Sequence, residues 1–222
     1  MNDDTIVALA TAQGISAIAV IRLSGEQSFS IVQRVFKGAN LAQQPSHTLH
    51  FGSIWDNDRM IDEVLVSVFR KPNSFTKEDS IEISCHGSPV IIKELVKLLM
   101  REGARLAEPG EFTKRAFLNG RFDLAQAEAV ADLINAETDN ARQAALNQMR
   151  GGFSSEINRL REELIHFASM IELELDFGEE DVEFAKREDL KALIVRMQSY
   201  LRILIDSLDQ GNVMKNGVPT VI

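Results

Sequence analysis

The chain has 222 residues, with 24 Lys+Arg against 33 Asp+Glu and a net charge of −9. Apolar residues at 45% and charged residues at 26% are ordinary for a folded globular protein and exclude a mainly disordered one. No apolar run approaches the ~20 residues that span a bilayer. The length allows one large domain or two small ones. The start, MNDDTIVALATA, carries acids where a secretory signal carries lysine or arginine. A single cysteine, Cys85, excludes an internal disulfide framework and a Cys-based zinc site. The expectation is a cytoplasmic chain with no membrane partner and no metal site.

In chain order, Thr5–Ala10 and Ile18–Leu23 are short and rich in β-branched residues, and are predicted strands. Ser24-Gly25 breaks the chain before a predicted helix from about Glu26 to Phe36. Thr48–Trp55, Glu63–Phe69 and Ser80–Cys85 read as further strands. In the second of these, valines at 64, 66 and 68 alternate with Leu65, Ser67 and Phe69, so both faces are expected to be covered. Ser88 as N-cap and Pro89 at the first helical position open a helix that stops at Gly103. Strands interspersed with helices predict an α+β domain, and it contains no Gly-rich dinucleotide fingerprint.

Near residue 119 the apolar period becomes 3.6. Asp123 is expected to cap a helix to about Asn135, and Thr138 to open a long one. Leu146, Met149, Phe153, Ile157, Leu160, Leu164, Phe167 and Ile171 form a continuous stripe along it. Gly151-Gly152 interrupts the stripe, at about 1 kcal/mol each relative to alanine, and predicts a kink or a close helix contact. Leu190, Leu193, Met197, Leu201, Leu204 and Leu208 repeat the pattern. Two such stripes bury each other as an antiparallel pair. Their flanks then need a third helix, a missing segment or a second subunit.

The charge is uneven. Residues 1–118 hold 13 basic and 14 acidic residues, and residues 119–222 hold 11 and 19. Seven of the twelve residues from Glu172 to Glu183 are acidic, which reads as a solvated helix end rather than a calcium loop. No basic stripe marks a primary nucleic-acid binder. His47, His50, His86 and His166 are too scattered to specify a metal site. Cys85 and His86 are neighbours on a strand and point to opposite faces, so Cys85 reads as a small buried hydrophobe, not a nucleophile. Arg22 and Glu82 stand out because each sits in an otherwise apolar strand, where a charge is costly unless paired or directed to a cleft. A solvent face, a mutual pair and a ligand role all remain open for them. Arg121, in the turn NGRFD, is either an exposed loop arginine or a ligand contact at the domain boundary.

Five segments in order, DTIVALATA, IAVIRLSG, PNSFTKEDSIEISCHGSPVI, EPGEFTKRAFLNGRFDLAQAEAVADLI and DFGEED, resemble the MnmE/TrmE family of tRNA modification GTPases. The resemblance covers almost the whole chain. It implies an N-terminal α+β domain of the aminomethyltransferase, folate-binding kind over residues 1–118, which also forms a homodimer. It further implies the first part of an all-α helical domain over 119–214 and the start of a G domain at 215–222. It implies binding of 5-formyltetrahydrofolate or a related reduced folate as one-carbon donor. Wobble-uridine modification of tRNA would follow, with an FAD-dependent partner of the MnmG/GidA type. GTP, potassium and magnesium would belong to the G domain, and no catalytic residue is carried over to this chain. The family's folate contacts fall on Arg22, Glu82 and Arg121. A carboxylate accepts the adjacent N–H donors of a pterin edge in two parallel bonds, and arginine suits an anionic glutamate tail.

Two local departures are TAQGIS, where the family has a Pro/Gly-rich segment, and Ser88, where the family has a second glycine after His86. These 222 residues also contain no GxxxxGK[ST] loop to hold a triphosphate, so the chain by itself is expected not to hydrolyse GTP. Two other readings compete: a non-enzymatic helical scaffold, and a stand-alone aminomethyltransferase-like folate enzyme.

Overall fold

Alternating apolar residues assemble seven strands into one mixed sheet. The computed structural model describes residues 4–176 and 186–216. The strands are β1 (Ile6–Leu9), β2 (Ile18–Ser24), β3 (Phe36–Lys37), β4 (Thr48–Asp56), β5 (Arg59–Phe69), β6 (Ser80–His86) and β7 (Arg105–Leu106). Their order is β3-β4-β5-β6-β2-β1-β7, antiparallel except between β1 and β7. Helices α1 (Ser28–Val35) and α2 (Pro89–Arg101) pack on one face of this sheet. Between them they bury Ile21, Leu23, Val66, Val68, Ile81 and Ile83 to zero exposure. Each such side chain contributes roughly 1.5–3 kcal/mol of burial. Chain contacts divide the protein after Phe122, into residues 1–122 and 123–222. Among the described residues no helix is long and apolar enough to cross a membrane.

The predicted strands and helices of the first unit are present, with ends shifted by up to four residues. Ser88 and Pro89 open α2 as expected, but the Ser88 side chain makes no cap hydrogen bond. The expectation that both faces of β5 are covered is corrected. Val64, Val66 and Val68 lie in the core, whereas Leu65 on the other face is exposed. That face carries the row Leu49–Ser67–Glu82–Arg22–Ala8 across five paired strands. It is roofed where β2 ends and β6 begins. There Ser24 Oγ and Thr76 Oγ1 are 2.5 Å apart, which sets the segment 74–78 on this face. Gly25, at φ +135°, makes the turn out of β2 where any Cβ would stand 2.7 Å from the Asp4 and Thr5 backbone.

Helix α3 (Glu111–Leu118) completes the roof with an ionic cluster. Arg115 is only 5% exposed, and it donates to Asp4 Oδ1 at 2.6 Å, Glu111 Oε1 at 3.2 Å and Glu78 Oε2 at 3.3 Å. Arg105 adds a two-pronged bond to Glu111 at 2.5 and 3.1 Å. A buried guanidinium is tolerated because three carboxylates neutralise it.

In the second unit Asp123 accepts from Gln126 N at 2.8 Å and Gln126 Oε1 accepts from Asp123 N at 2.9 Å, a closed capping box at the start of α4 (Leu124–Ile134). Thr138 caps the next helix, but that helix is not the single long one expected. It is two: α5 (Asp139–Met149) and α6 (Gly152–Asp176). Gly151 adopts φ +79°, a left-handed residue that ends α5 rather than bending it. Helix α7 spans Arg187–Asn216 and contacts α5 and α6. Leu160, Phe167 and Leu193 are buried, while Leu164, Ile171 and Leu201 of the same stripes stay exposed. Most of the acidic turn, 177–185, and residues 217–222 of the expected G-domain start lie outside the described residues. Lys215 and Asn216 end α7.

The ionic cluster makes stability depend on acid. The Arg105 hydrogen bonds hold Glu111 down at about 2, against an ordinary 4.5, helped by the Glu108 N–H and by Arg115. A carboxylate whose pKa falls on folding adds stability above its unfolded value and loses it as pH drops through the folded one. We expect the thermal midpoint of the wild-type chain to fall between about pH 4.5 and 2. A Glu111→Gln variant starts lower and falls less, as measured by calorimetry across that range.

Candidate functional site

A cavity of about 510 Å³ opens on this face of the sheet. Its apolar wall is Phe69, Pro72 and Phe75, its cationic rim is Lys77 and Arg121, and His47 and Glu82 also line it. Strand β6 delivers Glu82, because Ile81 and Ile83 on either side point into the core. Strand β2 delivers Arg22 to the position directly opposite.

Of the three open readings for these two charges, mutual pairing is what the geometry displays. Arg22 Nη2 and Nε lie 2.7 and 2.8 Å from Glu82 Oε1, with both side chains one-quarter exposed. Both nitrogens meet the same oxygen, which leaves Glu82 Oε2 as the acceptor for a further donor. Arg121 lies on the same cavity and donates through Nη1 to the Ser74 carbonyl. Phe75 links the two arginines: each guanidinium carbon is 5.2 Å from its ring centroid. The turn carrying Arg121 is stitched to the Phe75 segment twice more, by Lys77 Nζ to the Gly120 carbonyl at 2.8 Å and Asn119 Nδ2 to the Thr76 carbonyl at 2.7 Å.

The structure therefore brings Arg22 and Glu82 into contact and puts Arg121 and Glu82 on one cavity. It adds Phe75, Lys77 and His47, which sequence reasoning did not single out as pocket residues. Phe75 and Lys77 lie in SFTKED, within a segment that carried the family resemblance. His47 and Lys77 both hold positive φ, at 63° and 60°, a feature no residue type here announces. The chemistry offered is a flat aromatic surface, a carboxylate acceptor and cations at the rim. That suits a planar heterocycle with donor N–H groups and an anionic substituent.

Nucleophilic chemistry has no support here. Cys85 is 3% exposed, and burial, aided by the charge of Asp62, pushes its thiol up to about 11. His86 is on the surface and its Nδ1 is 2.7 Å from Asp62 Oδ1. The described residues contain no group of three or more His, Cys, Asp or Glu placed to hold a metal ion.

The family described as "GTP-binding protein TrmE N-terminus" matches residues 5–121, and "MnmE helical domain" matches 124–219. The chain belongs to the MnmE/TrmE family. The two matches meet where the two compact units divide. The tRNA modification GTPase MnmE of Cytophaga hutchinsonii is 65% identical over all of this chain and 48% of its own length. Those of Christiangramia forsetii and Flavobacterium johnsoniae are each 58% identical, over 47% and 48% of their lengths. The chain thus spans about half the length of the curated relatives it matches.

The Cys85 environment is directly measurable. We expect the folded chain to resist a thiol-reactive disulfide at pH 8 and to react fully once unfolded in guanidinium. Rapid stoichiometric labelling of the native chain contradicts this burial.

Proposed function

We propose that the cavity binds a reduced folate such as 5-formyltetrahydrofolate. The carrying observation is Glu82: its Oε1 is held by Arg22, its Oε2 remains for a ligand, and Phe75 and Phe69 offer flat surface beside it. In this reading the pterin N–H edge donates to Glu82, and Lys77 and Arg121 attract the anionic tail. The chain then supplies the one-carbon donor site of a tRNA-modifying GTPase that serves wobble-uridine modification with an FAD-dependent partner. GTP, potassium and magnesium belong to a G domain outside these 222 residues.

Binding of 5-formyltetrahydrofolate by calorimetry tests the site. A charge-assisted hydrogen bond is worth roughly 1.5–3 kcal/mol, so Glu82→Ala weakens binding about 10-fold or more. Arg22→Ala weakens it too, because it releases Glu82 from its set position. Lys93→Ala, on the exposed side of α2, serves as the neutral control. Wild-type affinity in both site variants removes the folate assignment.

A homodimer through the first unit fits the same face. Leu49, Phe51 and Leu65 lie together on its open side, with Phe51 67% exposed and paired with Leu65 across the strands. Like charges do not oppose this, since residues 1–118 are nearly neutral. Light scattering on the full chain is expected to give a dimer mass, reduced to a monomer by Phe51→Glu. A wild-type mass unaffected by that change argues for another contact. The helical-scaffold reading is favoured by a separate observation, the exposed Leu164, Ile171, Leu201 and Ile205 on α6 and α7. It predicts that changes on those helices, not on β4, alter the mass.

A further inference from the structure

The cavity side of the segment 74–78 presents Ser74, Phe75 and Lys77. Its other side is a closed hydrogen-bond system. Thr76 and Ser24 are fully buried with their hydroxyl oxygens 2.5 Å apart, and Ser24 Oγ donates to Glu78 Oε2 at 2.7 Å. One hydroxyl has one proton, so if Ser24 donates to Glu78, Thr76 must donate to Ser24. The chain of donors ends on a carboxylate that Arg115 Nη1 approaches at 3.3 Å, and the same nitrogen donates to the Asp4 carbonyl at 3.0 Å. Ser74 Oγ closes the segment on itself by donating to the Glu78 carbonyl at 2.5 Å. The ring of Phe75, against which Arg22 and Arg121 both lie, and the Ser74 carbonyl that accepts from Arg121 are therefore set from behind.

We propose that Ser24, Thr76, Glu78 and Arg115 are positioning residues of the cavity. They touch no ligand. They fix the backbone of residues 74–78, and through it the Phe75 ring that both Arg22 and Arg121 approach and the direction of the Arg121 guanidinium. The relay runs one way, Thr76 to Ser24 to Glu78, toward the buried positive charge of Arg115. Each bond polarises the next in a medium poor in water. Removing the first hydroxyl leaves Ser24 with an unfilled acceptor and frees the segment to shift, although Thr76 itself does not line the cavity.

The inference rests on the folate reading, and the experiment separates the two. Affinity for 5-formyltetrahydrofolate and the thermal midpoint are measured on the full chain for wild type, Thr76→Val and Thr76→Ser. Valine keeps the shape and loses the hydroxyl, whereas serine keeps the hydroxyl. At a temperature where all three are folded, we expect Thr76→Val to bind about 5-fold more weakly, since it loses the bond to Ser24 and the one accepted from the Glu78 N–H. Thr76→Ser is expected to bind within about 2-fold of wild type, on the same scale. A role in the fold alone lowers the midpoint of Thr76→Val and leaves its affinity unchanged, which overturns the proposal while the folate assignment stands. No binding by the wild-type chain overturns both. Should Thr76→Val not fold, Ser24→Ala removes the middle hydroxyl with no added bulk and carries the same expectation.

Discussion

Strand β2 runs against β6 in one register, Ile18 opposite His86 at one end and Ser24 opposite Ser80 at the other. That register sets Arg22 opposite Glu82 on one face and Ile21 opposite Ile83 on the other. A slip of either strand by one residue would turn its whole side-chain pattern over. It would drive a charge among the side chains packed under α1 and α2 and bring isoleucines out to the surface. Burying an unpaired ion is costly enough that this alternative is strongly disfavoured. The candidate site is thus a by-product of a constraint the core already enforces.

Two kinds of ion pair lie on the roofed face, and they have different physics. Arg22 and Glu82 are partly exposed, so their attraction is screened and modest. Such a pair can exchange a partner for a ligand without a large loss. Arg115 is desolvated and surrounded by Asp4, Glu78 and Glu111, so removing one partner there leaves charge uncompensated. A yielding pair in front of a rigid cluster is a sound arrangement for a binding surface.

Strong periodic segments were legible from residue types alone. Val64, Val66 and Val68 marked a strand, and Asp123 marked a helix start whose capping partner, Gln126, the structure supplies. The two-residue strands β3 and β7 were not legible, since a pair of residues has no period. Helix α3 was also missed: it is eight residues long and opens on Gly110 at φ 74° rather than on a side-chain cap. The stripe from Leu146 to Ile171 concealed a full break, because apolar spacing continues through Gly151 while backbone direction does not. At the site, Arg22 and Glu82 were conspicuous as charges inside apolar strands. Phe75 and His47 were not, because only the loop path brings them to the cavity.

Gln126 has one further consequence. Its carbonyl oxygen closes the capping box of α4, and its Nε2 donates to the Met149 carbonyl at 3.0 Å, the last residue of α5. Gln148 returns the contact through Nε2 to the Ala125 carbonyl, also at 3.0 Å. Helix ends normally fray independently, each starting from its own unsatisfied groups. Here one amide serves the start of one helix and the end of another, so opening either exposes both. The two ends are expected to open as a single cooperative unit, with shared amide-exchange protection. The left-handed Gly151 that follows lies just beyond that unit, where the chain is released to begin α6.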